Sequence, residues 1–392
     1  MTILYVLSAM SPSGGATKSI VTLIKGVVAA GHKAYVVSPR DSVLRQQLEA
    51  IGVTVDIIGF RPDTYPVIYA WWSYLLFLPL LPVWLIRNVL ALHKLKALCR
   101  NRKIDIVHTN VSVIGIGYTL SRYLCVPHVY HIREYGDSDF GYHYFPTKSA
   151  FRRRLWAPDS YNICITRDIQ VYHGQTDNPS SQIIYNGISI GNVPAQLSLP
   201  PDYFLYAGRV EEGKGVMDML RAYTLYANQT SKPTPLLLAG SVPVPDFGHA
   251  VESFLDRNNL GDNVRLLGQR DDVNALMQGA LALIVPSPSE GFGRTMPEAM
   301  LSDCLVVARD AAGLAEQMQN GRTACGSEIA LSFKTEHELA DLLVDVASQP
   351  REFFNDMRVR AKSVVKELYS PETYVSRVLQ LYNIMISKHN SQ

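Results

Sequence analysis

Cysteine is scarce in this sequence, and its few cysteines are scattered. They number five, an odd count, and stand far apart as Cys99, Cys125, Cys164, Cys304 and Cys325. None of their spacings is that of a zinc site, and an odd, dispersed set does not build a disulfide framework. We therefore interpret the cysteines as packing residues and expect a reducing compartment, where structural disulfides are rare.

The sequence also lacks an excess of charge and a recognisable leader. Its 37 basic and 35 acidic residues give a formal net charge of +2, and this balance does not indicate a nucleic-acid partner. The chain opens on a short apolar run, Ile3–Leu7, without a basic lead or a small-residue cleavage site. We therefore expect no signal peptide and a cytoplasmic protein.

A dinucleotide fingerprint is missing as well. Residues 3–38 predict a strand, a glycine loop, a helix and a second strand, which form a βαβ unit of a parallel sheet. The loop contains Gly14 and Gly15 but no G-x-G-x-x-G, and the second strand ends in Ser38-Pro39 without an acidic residue. This pattern argues against a dehydrogenase. The paired glycines would still let helix amides approach an anion closely.

The length of 392 residues predicts two domains, because a single hydrophobic core stops growing below that size. Strand-like runs recur on both sides of a proline-rich stretch at 192–202, the best linker candidate. We predict an α/β fold with two Rossmann-like parallel-sheet domains, 1–192 and 193–370, facing a cleft. A final helix over 371–392, with Ser370 as its cap and Pro371 in its first turn, is expected to cross back to the first domain.

Residues 67–86 contain no charge, and the helix predicted from Trp84 has basic side chains up to residue 103. Three alternatives remain for 67–103: docking on an anionic membrane face, packing within the domain, or spanning the membrane. A span would separate strands of one sheet, and Pro79 and Pro82 are expected to interrupt the helix. The basic helix at 148–156 is either simply solvated or contacts a phosphate-bearing acceptor or lipid head group.

Residues 281–316 contain the most informative run, SEGFGRTMPEAM, with Glu290 and Glu298 eight positions apart. The surrounding prolines and glycines place Glu290 in a loop and Glu298 in the first turn of the next helix. Thr295 and Glu298 match a capping box, which is the structural interpretation of Glu298. Glu290 has no such structural explanation, so we interpret it as a functional residue.

Other polar residues are expected near the cleft, where the strands of open α/β sheets end. Arg209 and Lys214 stand five apart in GRVEEGKG and are suited to clamp a diphosphate. His131 ends a buried strand, although a histidine there is often only a structural hydrogen-bonding residue. Asp137-Ser-Asp139 matches a metal-nucleotide D-x-D, but we expect an ordinary loop. This set of residues fits a nucleotide sugar.

These motifs together resemble the retaining glycosyltransferases of family 4, the glycosyl transferases group 1, which have the GT-B fold. The resemblance covers nearly the whole chain and is most specific in the E-x7-E pattern around EGFG. It implies that Arg209 and Lys214 bind the donor diphosphate, that Gly14 and Gly15 approach the phosphates, and that Glu298 binds ribose. Glu290 with Gly291, Phe292 and Gly293 would hold the donor sugar, and His131 would lie near the reaction centre.

The resemblance further implies a hexosyltransferase that works with retention, without a metal and without a cofactor, the nucleotide sugar being a substrate. The acceptor expectation rests instead on the apolar and basic segments 67–103 and 148–156: a lipid-linked or cell-surface polysaccharide, such as lipopolysaccharide or capsule, at the cytosolic face of an anionic membrane. Alternatives are a GT-B protein that binds without turnover and a nucleotide-sugar epimerase. The chain departs from the family at Asp303, Leu305 and Ala312, where glycine, proline and glycine are usual.

Overall fold

The computed structural model describes residues 1–8, 14–65, 73–191 and 202–391, which divide into two compact domains. The first domain comprises Met1–Gly187 and Pro371–Gln392, and the second comprises Ile188–Ser370. The boundary predicted at 192–193 and nearly all of the linker proposed at 192–202 lie outside the described residues.

The first domain begins with alternating strands and helices. Its strands are β1 (Thr2–Leu7), β2 (Lys33–Ser38), β3 (Thr54–Ile57), β4 (Thr64–Tyr65), β5 (Ile106–Asn110), β6 (His128–Ile132), β7 (His143–Tyr144), β8 (Ser160–Cys164) and β9 (Ser181–Ile183). Its helices before the linker are α1 (Gly15–Ala29), α2 (Leu44–Glu49), α3 (Ser73–Cys99), α4 (Ile116–Leu124), α5 (Asp137–Phe140), α6 (Lys148–Leu155) and α7 (Arg167–Tyr172).

Seven of these strands form one parallel sheet in the order β3-β2-β1-β5-β6-β8-β9. Its central strands are buried on both faces, as expected for a parallel sheet covered by helices, and two of them, β5 and β6, also bury polar side chains. The order reverses between β1 and β5, and this reversal brings the loops that follow both strands to one edge. The short strands β4 and β7 pair separately as an antiparallel ribbon.

The second domain repeats the alternation. Its strands are β10 (Phe204–Ala207), β11 (Leu236–Ala239), β12 (Val264–Gly268), β13 (Ala282–Val285), β14 (Leu305–Arg309) and β15 (Leu331–Phe333). Its helices are α8 (Val216–Ala227), α9 (Pro245–Arg257), α10 (Val273–Gly279), α11 (Thr295–Leu301), α12 (Ala312–Cys325), α13 (Glu336–Ser348) and α14 (Asn355–Leu368). The six strands are parallel in the order β12-β11-β10-β13-β14-β15. The two Rossmann-like sheets predicted from the sequence are thus confirmed.

The final helix, α15 (Pro371–Asn390), belongs to the first domain. Its buried face includes Tyr374, Val378 and Tyr382, which join the core built on β1 and α1. Gly26 of α1 is what allows the close approach: a methyl group there would lie 2.3 Å from Val375 Cγ2. The predicted return of the C-terminal helix to the first domain is therefore confirmed.

Two local predictions are wrong. Helix α3 continues through Pro79 and Pro82 instead of being interrupted by them. Both prolines are exposed, so water can satisfy the carbonyl groups that lose a partner. No helix in the described parts of the chain is long and apolar enough to cross a membrane. Residues 67–72 of the apolar run lie outside the described residues.

The D-x-D at residues 137–139 is a short helix, not the predicted loop, because its second carboxylate caps it. Asp139 accepts hydrogen bonds from the amides of Gly136 and Tyr135, at 2.7 and 3.0 Å. Asp137 accepts from Lys148 Nζ and from the hydroxyl of Tyr172. Both carboxylates therefore already serve the fold.

The close contact between α1 and α15 can be tested by substituting Gly26, because the effect of the substitution on stability should change sign when Val375 is shortened. Gly26→Ala should destabilise the protein by about 1–3 kcal/mol, because Val375 is stiff and the core overpacks. In a Val375→Ala background the same change should be neutral or stabilising by up to about 1 kcal/mol, since alanine is the better helix former. Denaturant unfolding of both pairs measures this.

The control is Gly59→Ala, because a methyl group at Gly59 meets no atom within 4 Å. Equal destabilisation by Gly26→Ala in both backgrounds would show that the two helices do not touch at this point.

Candidate active site

The order of strands in the second sheet reverses between β10 and β13, so the loops after these two strands share one edge. In open α/β sheets such a reversal is where ligands bind. The loop after β10 contains Arg209 and Lys214, and the loop after β13 contains Glu290. The structure thus places three residues that the sequence singled out at one edge of the sheet.

Lys214 and Glu290 form an ion pair, with Nζ 2.8 Å from Oε1. Gly215 makes this possible. It has a φ of +69°, and a Cβ there would lie 2.3 Å from the carbonyl oxygen of Pro286. A glycine lets the turn before α8 rest directly on the loop after β13. About a fifth to a quarter of each side chain remains exposed, at 24% for Lys214 and 21% for Glu290, so a ligand can reach both.

Arg209 lies in the loop after β10, at the same edge. The hydroxyl of the buried Tyr206 donates to the carbonyl oxygen of Arg209 at 2.6 Å. Burial, then the carboxylates of Glu290 and Glu211, raise the pKa of Tyr206, so this hydroxyl stays protonated and keeps donating. Arg209 Nη2 lies 3.0 Å from Glu211 Oε1, and half of the arginine side chain is exposed. The guanidinium is therefore accessible to an anion.

The glycines around Phe292 give the loop its close packing. Gly293 has a φ of +73°, and a methyl group on Gly313 would lie 2.7 Å from the carbonyl oxygens of Glu290 and Gly291. The amide of Gly313 donates to the Glu290 carbonyl at 3.0 Å. The Phe292 ring is buried and meets Tyr369 edge-on at 5.3 Å. The ring lies inside the domain, so Phe292 has only its backbone to offer a sugar.

The predicted capping box at Thr295 is wrong. Helix α11 begins at Thr295 itself, Arg294 occupies the cap position, and no side chain caps the helix. Glu298 instead accepts from Arg294 Nε and Nη2, at 3.2 and 3.1 Å, and both side chains are 13% exposed. Both bonds go to Oε1. Glu298 is thereby held by an arginine one helical turn earlier, and its Oε2 accepts no hydrogen bond from the residues that the structure describes.

Two departures from the family pattern stand at left-handed backbone positions. Asp303 has a φ of 60° and Ala312 a φ of 49°, a region that favours glycine. Arg358 Nη1 lies 3.4 Å from the Asp303 carbonyl oxygen and supports that turn. Ala312 is the first residue of α12, directly before Gly313. Ala312 thus lies beside the loop of Glu290, whereas Asp303 precedes β14 at the opposite edge of the sheet, and Lys214 and Glu290 remain paired.

In the first domain, Gly14 and Gly15 lie at the start of α1, after β1. Gly14 is the cap residue and Gly15 the first helical residue, no side chain caps the helix, and its first turn contains no acidic residue. His131 is the next-to-last residue of a different strand, β6, and is fully buried. The structure therefore confirms the strand-end position of His131 but places its ring inside the domain.

His131 belongs to a buried polar cluster. Its Nδ1 lies 3.2 Å from Arg133 Nη2 and 3.2 Å from His108 Nε2. A guanidinium can only donate, so Nδ1 accepts and the proton of the neutral ring lies on Nε2. Burial, then the charge of Arg133, lowers the pKa of His131 well below its ordinary value. The ring is therefore a neutral donor, and among the described residues its Nε2 has no hydrogen-bond partner.

Glu134 is a residue that the sequence analysis missed. It is 5% exposed, and its Oε1 accepts from the amide and the hydroxyl of Ser112, at 3.1 and 3.0 Å. Val111, just before Ser112, has a φ of 95°, which is strained for a β-branched residue. Burial, partly offset by Ser112, raises the pKa of Glu134 to about 7. Its position directly after a buried strand was the available signal.

Glu134 predicts a pH-dependent stability. Because its pKa in the folded protein is raised from 4.5 to about 7, its contribution is complete below about pH 4.5 and is lost as the pH rises through 7. Relative to Glu134→Gln, the natural protein should lose about 3 kcal/mol across this window, since one pKa unit corresponds to about 1.4 kcal/mol. Denaturant unfolding at steps between pH 4 and pH 8 measures the difference. The control is the exposed Glu352→Gln, and a constant difference across the window would contradict the raised pKa.

Two family models match this chain. Residues 13–191 match Glycosyltransferase Family 4, and residues 201–349 match Glycosyl transferases group 1. Among curated relatives, the lipopolysaccharide core biosynthesis mannosyltransferase LpcC of Rhizobium leguminosarum bv. viciae is 32% identical over 127 residues, 32% of this chain and 35% of that protein. The match thus spans about a third of the length of LpcC. The capsular polysaccharide biosynthesis glycosyltransferase CapH of Staphylococcus aureus is 20% identical over 275 residues, 68% of this chain and 69% of that protein.

Solved structures agree on the architecture. The crystal structure of HepE from Anabaena in complex with UDP-glucose matches with a TM-score of 0.77 and 19% identity, over 98% of this chain and 100% of that one. At this identity the likeness shows the fold. With two parallel sheets, a candidate site where β10 and β13 end, and family matches over both domains, the chain belongs to glycosyltransferase family 4, the glycosyl transferases group 1, and has the GT-B fold.

Proposed function

We propose that this protein transfers a hexose from a nucleotide sugar to a lipid-linked or cell-surface polysaccharide acceptor, with retention of configuration, at the cytosolic face of a membrane. The proposed binding of the nucleotide-sugar donor rests on the ion pair of Lys214 and Glu290, which is 2.8 Å long and partly exposed where β10 and β13 end. A cation beside a carboxylate there matches a ligand with a diphosphate next to a polyhydroxylated sugar.

The proposed donor contacts follow from the chemistry of each group. Lys214 and Arg209 bind the diphosphate, and the amides at Gly14 and Gly15 approach phosphate oxygens. Glu290, with the backbone of Gly291, Phe292 and Gly293, binds the donor sugar, and Glu298 accepts from the ribose hydroxyl groups through Oε2. The similarity to HepE, whose crystal holds UDP-glucose, supports this class of donor.

For the reaction itself we propose that no covalent nucleophile takes part. The leaving diphosphate, stabilised by Lys214 and Arg209, accepts the proton of the attacking hydroxyl on the same face of the sugar, and the configuration is kept. His131, a neutral donor through Nε2, provides a hydrogen bond near the reaction centre. The two cations supply the positive charge that the leaving group needs, so we propose a reaction without a metal or cofactor.

Calorimetric titration with UDP-, GDP- and ADP-hexoses, combined with an assay of donor cleavage, tests this donor site. Lys214→Met should weaken donor binding about 10- to 100-fold, because a charge-assisted hydrogen bond contributes about 1.5–3 kcal/mol. Glu290→Gln should reduce turnover more than stability, and a chelator should leave turnover unchanged.

The matched control is Arg221→Met in the same domain, which breaks an exposed ion pair with Glu336 at 2.7 Å. If no nucleotide hexose binds, or if Lys214→Met binds as well as the natural protein, the donor site is wrong. A donor converted without acceptor while the sugar stays on the nucleotide would identify an epimerase.

The proposed docking on a membrane rests on helix α3. One face packs inward through Trp84, Ala91 and Leu95. The other exposes large apolar side chains to between 45% and 63%: Leu80, Val83, Leu85, Ile86, Val89 and Leu90. Exposed basic residues, among them Arg87 and Lys94, lie on the same helix, and residues 73–99 include no acidic residue. An exposed apolar face with positive charge is typical of a helix lying on an anionic membrane.

The names of relatives support the class of acceptor. LpcC is named for lipopolysaccharide core biosynthesis and CapH for capsular polysaccharide biosynthesis. The similarity to both supports a polysaccharide or lipid-linked acceptor.

Vesicle flotation tests the docking. The natural protein should float with vesicles containing phosphatidylglycerol and stay behind with neutral phosphatidylcholine vesicles. The double variant Ile86→Asp/Leu90→Asp should lose flotation, because charged side chains replace the apolar contact. Val359→Asp, at a residue 65% exposed in the second domain, is the control. Equal recovery with both kinds of vesicle would leave α3 without a membrane role.

A further inference from the structure

The first domain has a cavity that none of the proposed contacts uses. Its volume is about 420 Å³, within the range of roughly 300–1,000 Å³ typical of small-ligand sites. The residues that line it come from the β4–β7 ribbon and its flanks and include Tyr65, Asp137, Tyr142, Tyr144 and Lys148. A cavity with three tyrosines and several polar groups calls for a ligand that is both apolar and hydroxylated.

The walls of the cavity are held by hydrogen bonds and need no rearrangement to form it. Tyr144 donates its hydroxyl to the carbonyl oxygen of Tyr135 at 3.0 Å, and Gly136, with a φ of +88°, leaves room for that hydroxyl. The backbone at Asp63 accepts from the amide of Phe145 at 3.0 Å, while the Asp63 carboxylate pairs with Arg154. Such a preformed cavity lowers the cost of binding.

The polar groups suit neutral hydroxyl groups better than an anion. Asp137 and Lys148 are paired with each other, so together they add no net charge. Among the described residues, the hydroxyl of Tyr142 has no hydrogen-bond partner. Burial, then the carboxylates of Glu134 and Asp139, raise its pKa to about 12, so the hydroxyl remains a donor. Aromatic rings with a donor and a carboxylate are the groups that a pyranose ring uses, through its C–H face and its hydroxyls.

We propose that this cavity binds the terminal neutral hexose of a lipid-linked glycan acceptor, a proposal that rests on the transferase function above. The link to lipid is helix α3. Its Trp84 packs on Phe145 at 4.9 Å, and Phe145 contacts Tyr65 at 5.3 Å. Trp84 also donates to the carbonyl oxygen of Pro62 at 2.9 Å, just before the ribbon. The helix with the exposed apolar face is thus attached to the wall of the cavity.

Calorimetry on the full chain tests this site without any donor. The probes are methyl and octyl glycosides of glucose, galactose and mannose, with inorganic phosphate as the anionic alternative. At least one hexoside should bind saturably, and Tyr142→Ala should weaken it about tenfold. Tyr142→Phe, which keeps the ring, should weaken it less. Tyr123→Ala, at an exposed tyrosine on α4, is the control, and thermal unfolding checks that each variant folds.

The outcomes separate this site from the donor site. If no hexoside binds, if phosphate binds in preference to every hexoside, or if Tyr142→Ala binds as the natural protein does, the cavity is not a sugar site. The effect of Lys214→Met on donor binding concerns the other domain, so its result is independent of the hexoside result. Hexoside binding that responds to Tyr142→Ala, without any transfer, would keep the cavity and remove the proposed reaction.

Discussion

Parallel pairing of β10 with β13 is the constraint on which the candidate donor site depends. Because the two strands run the same way and the strand order reverses between them, the loops that follow must occupy one edge of the sheet. Glycine at 215 and at 313 then lets backbone meet backbone with no side chain between. Lys214 and Glu290 face each other as a result, before any ligand arrives. A site arranged in this way spends little binding energy on ordering its own side chains.

The first domain contains a cluster of buried polar groups around Arg133. Arg133 donates to Asn110, Asn186, His131 and Tyr374, so its guanidinium is hydrogen-bonded to four neutral partners inside the protein. Buried polar groups cost free energy unless they are paired, and this cluster is paired nearly throughout. His131 Nε2 is the exception among its described atoms. His131 is neutral and lies beside a charged arginine. Its Nε2–H, which has no partner among the described residues, is suited to donate a hydrogen bond to an oxygen of a substrate.

Helix α3 packs against the β4–β7 ribbon with one face and forms part of the protein surface with the other. The inner face of the helix supports the ribbon through Trp84, while the outer face presents aliphatic side chains and basic residues. A helix with this pattern gains little by packing further against its own domain, because its apolar side chains point away from the core. The arrangement connects the surface that we propose for membrane docking with the cavity that we propose for sugar binding.

Local sequence was enough to determine the alternation of strands and helices, the loop position of Glu290, the helix start at Pro371 and the family. Each of these depends on neighbours within a few residues or on a short motif. The tertiary structure decided the rest. Lys214 meets Glu290 across 76 positions, Glu134 meets Ser112 across 22, and the Phe292 ring is buried against Tyr369.

The errors have the same origin. Thr295 does not cap α11, and two prolines do not end α3, because tertiary packing and solvent access decide how a chain satisfies its backbone groups. Propensity and motif act along the chain, whereas burial, ion pairing and raised pKa values arise between segments that only the fold brings together.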